Sequence, residues 1–176
     1  MHNFTKYFKN KVTKNTLPKN LLDEARRYFF KQTMSTLNCP SETYIFDVYG
    51  VILEEILDSH SYALVILADG TINFYTSTNT AYLGLVMDEK LVDVVMDLFA
   101  LIDEKVESFE KSTHYKLLER GKTQFNFLCQ SGKYRICEDT DRIQNQFNRF
   151  HEIYYTAQKA LNLYIQLVEN KKTELK

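Results

Sequence analysis

Apolar and polar positions along the chain fall into alternating and helical stretches, and the clearest stretch lies between Ser61 and Leu85. Tyr62 to Ala68 is an apolar, β-rich run, Asp69-Gly70 is the pair that a two-residue type I′ turn favours, and Thr71 to Ser77 resumes in β-branched and aromatic residues. This pattern predicts a tight hairpin of Ser61 to Ala68 and Thr71 to Thr78 at the centre of a sheet. Upstream, Glu42 to Leu57 places Tyr44, Phe46 and Val48 on one face and predicts a preceding strand, bulged or bent at Gly50. Short turns make the three strands an antiparallel meander. Thr123 to Cys137 predicts a second hairpin turning near Ser131-Gly132, with Phe125, Phe127 and Cys129 on one face and Gln124, Asn126 and Leu128 on the other.

Helical spacing frames these strands. Pro18 suits a first helical turn and Asn38-Cys39-Pro40 a stop, which predicts a helix from Pro18 to Leu37. Asp88 is the expected N-cap of a second helix, because Leu91, Val95, Leu98, Ile102, Val106 and Phe109 follow at three- and four-residue steps. Asp93, Asp97, Glu104 and Glu107 share the opposite face. A last helix, about Asp141 to Lys172, carries Ile143, Phe147, Phe150, Tyr154, Ala157, Leu161, Tyr164 and Val168 as its seam. A second apolar line through Ile153, Leu163, Ile165 and Leu167 widens that stripe, which predicts a homodimer interface on the helix's C-terminal half. The expected fold is α+β: a five-stranded antiparallel sheet, built from the meander plus the hairpin, with three main helices of which the last is long.

Composition narrows the class. A chain of 176 residues that is 44% hydrophobic can bury a core as a single domain, residues 1–176, without disulfides or metal. Residues 1–15 carry Lys6, Lys9, Lys11 and Lys14 with no acid and predict a loosely docked basic arm; with no supporting motif, no nucleic-acid partner is expected. The amino terminus lacks an apolar signal region and no window approaches the roughly 20 apolar residues that span a bilayer, so no membrane partner is expected either. Three cysteines without a C-x-x-C pair point to free thiols in a reducing, cytoplasmic setting.

Charge changes the picture more. The net charge is −1, yet Ser41 to Glu110 holds 14 acidic residues against only Lys90 and Lys105, while both flanks are basic. Such asymmetry bears on partners and encounter rates rather than on fold.

Catalytic chemistry finds little to stand on. The four histidines, His2, His60, His114 and His151, fall in different elements at no metal-ligand spacing, so no metal and no cofactor are expected. His151 reads as a packing residue beside the seam. Glu54 and Glu55 alternate across a strand, so their carboxylates face apart and cannot form a dyad. No phosphate loop, dinucleotide fingerprint, nucleophile elbow or paired-histidine zinc motif is present.

The segments VYGVILEE (Val48 to Glu55), LVILADGTINFYTS (Leu64 to Ser77), Gly84 and FNFLCQSG (Phe125 to Gly132) resemble an uncharacterised family of small bacterial proteins. That family is built on a strand, an L-A-D-G-T hairpin, a glycine-rich link, a helix, a phenylalanine-rich hairpin and a long helix. The resemblance covers roughly residues 46–168 and implies fold, with no activity to transfer. Similar proteins carry a run of glycines after the hairpin serine, where this chain reads TNTAYLG and keeps only Gly84, so no anion site is expected there.

Three functions follow from these patterns. The first is a non-enzymatic bacterial binding protein, of immunity or antitoxin type, whose Asp93, Asp97, Glu104 and Glu107 capture a cationic protein. The second is a dimeric adaptor using the long helix. The third is a small-ligand protein with a pocket lined by Tyr44, Tyr75, Tyr82 and Tyr154, whose rings pair apolar faces with polar tips.

Overall fold

The computed structural model describes residues 21–37, 44–57, 60–78, 80–85 and 88–174. The basic arm at 1–15, Pro18 and Cys39 lie outside the described residues. Within them the chain forms α1 (Leu21–Phe30), β1 (Val48–Ile56), β2 (Ser61–Leu67), β3 (Thr71–Thr76), β4 (Ala81–Leu85) and α2 (Glu89–Lys105). It continues through β5 (Glu110–Lys111), β6 (Lys122–Cys129), β7 (Gly132–Asp139), α3 (Thr140–Ile143) and α4 (His151–Glu174). The sheet has seven antiparallel strands in the order β4-β3-β2-β1-β6-β7-β5. The expectation of five strands and three helices is therefore corrected to seven strands and four α-helices among the described residues, while the α+β class and the antiparallel sheet hold.

Each correction has a local cause. Ala81–Leu85, expected as a link, pairs with β3 from Tyr75↔Ala81 to Thr71↔Leu85. β5 is only two residues long and is held by β7, too short to leave a period in the sequence. The predicted last helix is broken between Ile143 and His151. There the Asn145 side-chain Oδ1 accepts the Phe147 N–H at 3.0 Å and Asn148 Oδ1 accepts the Phe150 N–H at 2.8 Å. Asparagine side chains that hold the backbone two residues on compete with helical hydrogen bonds. Phe147 is consequently 86% exposed and leaves the seam, whereas Ile143 and Phe150 stay buried.

β1, not the β2–β3 hairpin, is the centre of the sheet. Its register against β6 shifts between Val48 and Gly50, the bulge expected at that glycine. A β-carbon on Gly50 would stand 2.8 Å from Leu67 Cδ2 and 2.9 Å from Leu128 Cδ1, so the strands close over the bare backbone. The β2–β3 connection is also not the two-residue turn expected. The Gly70 N–H bonds the Leu67 carbonyl at 3.0 Å and Gly70 has φ 84°, the three-residue loop in which a type I turn ends on a left-handed glycine. Asp69 caps that loop by accepting the Thr71 N–H at 3.0 Å.

Helices cover both faces of the sheet. On one face α2 and α4 pack over Val51, Leu53, Leu64, Ile66, Phe125 and Phe127; on the other α1 packs over Tyr49, Ile52, Ala63, Val65 and Leu128. The seam of α4 is buried at Ile153, Ala157, Leu161 and Tyr164. Its second apolar line, Leu163, Ile165 and Leu167, rests half-buried against the same core, so the packing of one chain already uses the widening that suggested a dimer face. The outward row of Glu152, Tyr155, Lys159, Asn162 and Gln166 is polar apart from Tyr155. No helix among the described residues is long and apolar enough to cross a membrane.

Candidate functional site

β1 reads as a continuous buried run that contains two acids. Strand alternation sends Glu54 to the α1 face and Glu55 to the α2/α4 face, each almost fully buried. Glu54 Oε1 lies 2.6 Å from Arg26 Nε of α1 and accepts from the Tyr115 hydroxyl at 2.7 Å. Its Oε2 accepts from Gln124 Nε2 at 3.1 Å and Asn126 Nδ2 at 3.2 Å. Burial pushes the Glu54 carboxyl above its usual range, against the opposing pull of the Arg26 cation and the Tyr115 and Gln124 hydrogen bonds. Arg26 in turn bonds Asp23 at 2.6 Å. Glu55 accepts from the Tyr62 hydroxyl at 2.7 Å and from Thr123 Oγ1 at 3.1 Å, while Gln158 of α4 donates to the Tyr62 oxygen at 2.6 Å. The two carboxylates thus clamp different helices to one strand: α1 through Arg26, α4 through Tyr62 and Gln158. Burying a carboxylate is costly unless it is paired and hydrogen-bonded. Arg26 gives Glu54 a counter-ion, whereas Glu55 has the Tyr62 and Thr123 hydroxyls and no ion-pair partner among the described residues. In the Glu54 network Arg26 Nη2 and Asn126 Oδ1 are buried without a hydrogen-bond partner among the described residues.

The sheet separates the tyrosines proposed as a pocket. Tyr75 is fully buried on the α1 face against Phe29, their ring centroids 6.3 Å apart. Tyr82 packs on Phe74 on the opposite face, at 6.1 Å, and Tyr154 lies on that face too, its hydroxyl accepting from Gln144 at 3.0 Å. Tyr44 donates its hydroxyl to the Val48 carbonyl at the entry to β1. These four side chains therefore do not line one cavity.

The acidic middle segment is largely taken up by the fold. Glu54 and Glu110 receive arginines from the flanking segments, the second through Arg135 Nη2 at 2.6 Å. Asp47 accepts the Ser131 N–H at 2.8 Å and Asp88 caps α2 by accepting the Leu91 N–H at 3.1 Å. Asp103 accepts the N–H groups of Asp47 and Val48 at 2.8 and 2.9 Å, pinning α2 to the start of β1. What remains is narrower than the segment's total charge implies. Glu89, Asp93, Asp97 and Glu104 form an exposed row along α2, and Glu107 continues it in the following 3-10 turn. None of the five has an ion-pair partner among the described residues. The four residues picked out by helical spacing are thus brought together on one outward surface.

The sequence reading passed over Val92 and Met96. They stand 45% and 42% exposed beside Asp93 and Asp97, an apolar pair one turn apart. The signal was present: the helix's apolar positions number more than one stripe can hold. Glu89, Asp93 and Asp97 are like charges four residues apart, each pair costing an isolated helix about 0.2–0.5 kcal/mol, so folding alone gives no reason for the row.

No protein-family model matches the chain, and no curated protein matches it. Among the described residues no group of three or more histidine, cysteine, aspartate or glutamate side chains is arranged to hold a metal ion.

Proposed function

We propose that this is a binding protein that takes up a cationic partner protein on the outer face of α2, in the manner of a bacterial immunity or antitoxin-like protein. The observation that supports this most directly is the row Asp93, Asp97, Glu104 and Glu107, exposed and without counter-ions among the described residues, with Val92 and Met96 exposed beside it. Apolar side chains beside a row of acids give a partner both a contact to desolvate and a field to follow. Clustered charge of this kind raises encounter rates with an oppositely charged partner by roughly 10- to 1,000-fold, and salt removes the gain. A cytoplasmic setting accords with Cys129 and Cys137, both unbridged.

The test is capture of partners from a lysate of the source organism by the wild-type chain and by a variant with Asp93, Asp97, Glu104 and Glu107 all changed to lysine. The expected result is a basic protein retained by the wild type at low salt, released as salt rises, and lost in the variant while its circular dichroism spectrum stays unchanged. Equal capture by both proteins, with the same salt response, would overturn this reading.

A further inference from the structure

A seven-stranded open sheet has two edges, and this chain treats them differently. At one edge β5 carries Glu110 and Lys111, and Glu110 is paired with Arg135 of β7 at 2.6 Å. Charged side chains on a very short strand are standard protection against unwanted strand pairing. At the other edge β4 has no such protection. It contains neither charge nor proline, no charged residue stands anywhere between Asp69 and Asp88, and its register against β3 runs without a bulge. Among the described residues no strand lies beyond it.

The register defines what could pair there. The Thr76 N–H bonds the Thr80 carbonyl at 2.9 Å, which marks the hydrogen-bonded phase of the β3–β4 ladder. Antiparallel ladders alternate, so Tyr82 and Gly84 continue that inward phase, and the amides and carbonyls of Ala81, Leu83 and Leu85 point away from β3. We propose that β4 is a homodimer edge, pairing antiparallel with β4 of a second copy about a two-fold axis through Leu83. In that arrangement Leu83 meets Leu83 and Ala81 meets Leu85 as hydrogen-bonded pairs, and Tyr82 stands opposite Gly84. The match is self-complementary in shape as well as in hydrogen bonding. Gly84 follows Tyr82 by two positions on the same face, and among the described residues nothing lies within 4 Å of where its side chain would begin. A tyrosine ring from the second copy would cover that glycine, as aromatic residues do for glycines at sheet edges. A strand without charged residues sets no like charges of its own against a second copy, whereas a β5-type edge would.

The experiment is sedimentation equilibrium of the full chain from nanomolar to high micromolar concentration, with Leu83→Lys and Ala81→Lys beside the wild type. Hydrogen exchange at the Leu83 amide is followed in parallel. The proposal expects the wild type to pass from the chain mass of 20.8 kDa to twice that mass as concentration rises, with the Leu83 amide protected only at the high end. Both variants remain at 20.8 kDa with wild-type circular dichroism. Leu83 and Ala81 are both half-buried against the α1-side core, so the wild type's own change of mass with concentration and the exchange of its Leu83 amide decide the question if either variant fails to fold. A wild type that stays monomeric throughout, or a dimer that either folded variant retains, overturns the proposal; the second result would place the interface elsewhere, for instance on α4.

Discussion

Replacing Arg26 with methionine tests whether the buried ion pair fastens α1 to the sheet. Methionine keeps much of the aliphatic volume of the stem and removes the cation, leaving Glu54 without any exposure to water. Removing one partner of a buried pair costs about 3–5 kcal/mol. The lower end applies here because Tyr115, Gln124 and Asn126 continue to donate to the carboxylate. A loss of about 3 kcal/mol corresponds to a melting temperature lower by roughly 6–12 °C for a chain of this size. The pH dependence carries the sharper test. Glu54 is an acid whose folded-state pKa is raised by burial above the ordinary 4.5. Such a group takes up more protons folded than unfolded between those two values, so its contribution is fully present below the unfolded pKa and is lost as pH rises through the folded one. Losing the Arg26 cation raises the folded pKa further and extends that window upward. Urea denaturation at about pH 5 and about pH 8 should show a larger deficit for Arg26→Met at the higher pH. Arg26→Met combined with Glu54→Gln should recover part of the loss, since the unpaired charge is then gone. A deficit below about 1 kcal/mol, or one that does not change with pH, would refute the assignment of Arg26 and Glu54 as the fastening of α1.

Two other sites give equally direct outcomes. Gly50→Ala should destabilise by about 1–3 kcal/mol in urea denaturation, because its new methyl group meets Leu67 and Leu128 side chains inside 3.0 Å and both lie in packed core. Asp103→Ala should cost about 2 kcal/mol by stranding the Asp47 and Val48 amides, and hydrogen exchange at those two amides should rise more than at β6 amides.

The strongly patterned elements were readable in the residues themselves. The β2–β3 and β6–β7 hairpins, the bulge at Gly50 and the Asp88 cap each arise from chemistry within about ten residues, and local signals of this length survive tertiary context. Of the stripe expected on α2, Leu91, Leu98 and Ile102 are buried there, together with Val94 and Phe99, while Val95 is half-buried and Val106 and Phe109 lie beyond the helix. β4 and β5 did not show because neither is defined by its own sequence: one is a strand only by pairing with β3, the other only by pairing with β7. The break before α4 was written as Asn145 and Asn148, yet the apolar spacing through Phe147 masked it. The row of acids on α2 was legible from its spacing. That most other acids of the middle segment would be absorbed was not, because the atoms that absorb them belong to Arg26, Ser131 and Arg135, far away along the chain. The four tyrosines were grouped by residue type without regard to the faces of the sheet, and Tyr75 lies on the α1 face, across the sheet from Tyr82 and from Tyr154 of α4.

The position of β1 between β2 and β6 sets an order on synthesis. The β1–β4 meander closes through neighbouring turns and can form as soon as it leaves the ribosome. The other side of β1 is satisfied only by β6, and Glu54 meets its Gln124 partner 70 residues further on. Until that stretch has been translated, a strand that the finished fold buries along almost its whole length presents a bare row of amides and carbonyls, the form in which unfinished β proteins aggregate or engage chaperones.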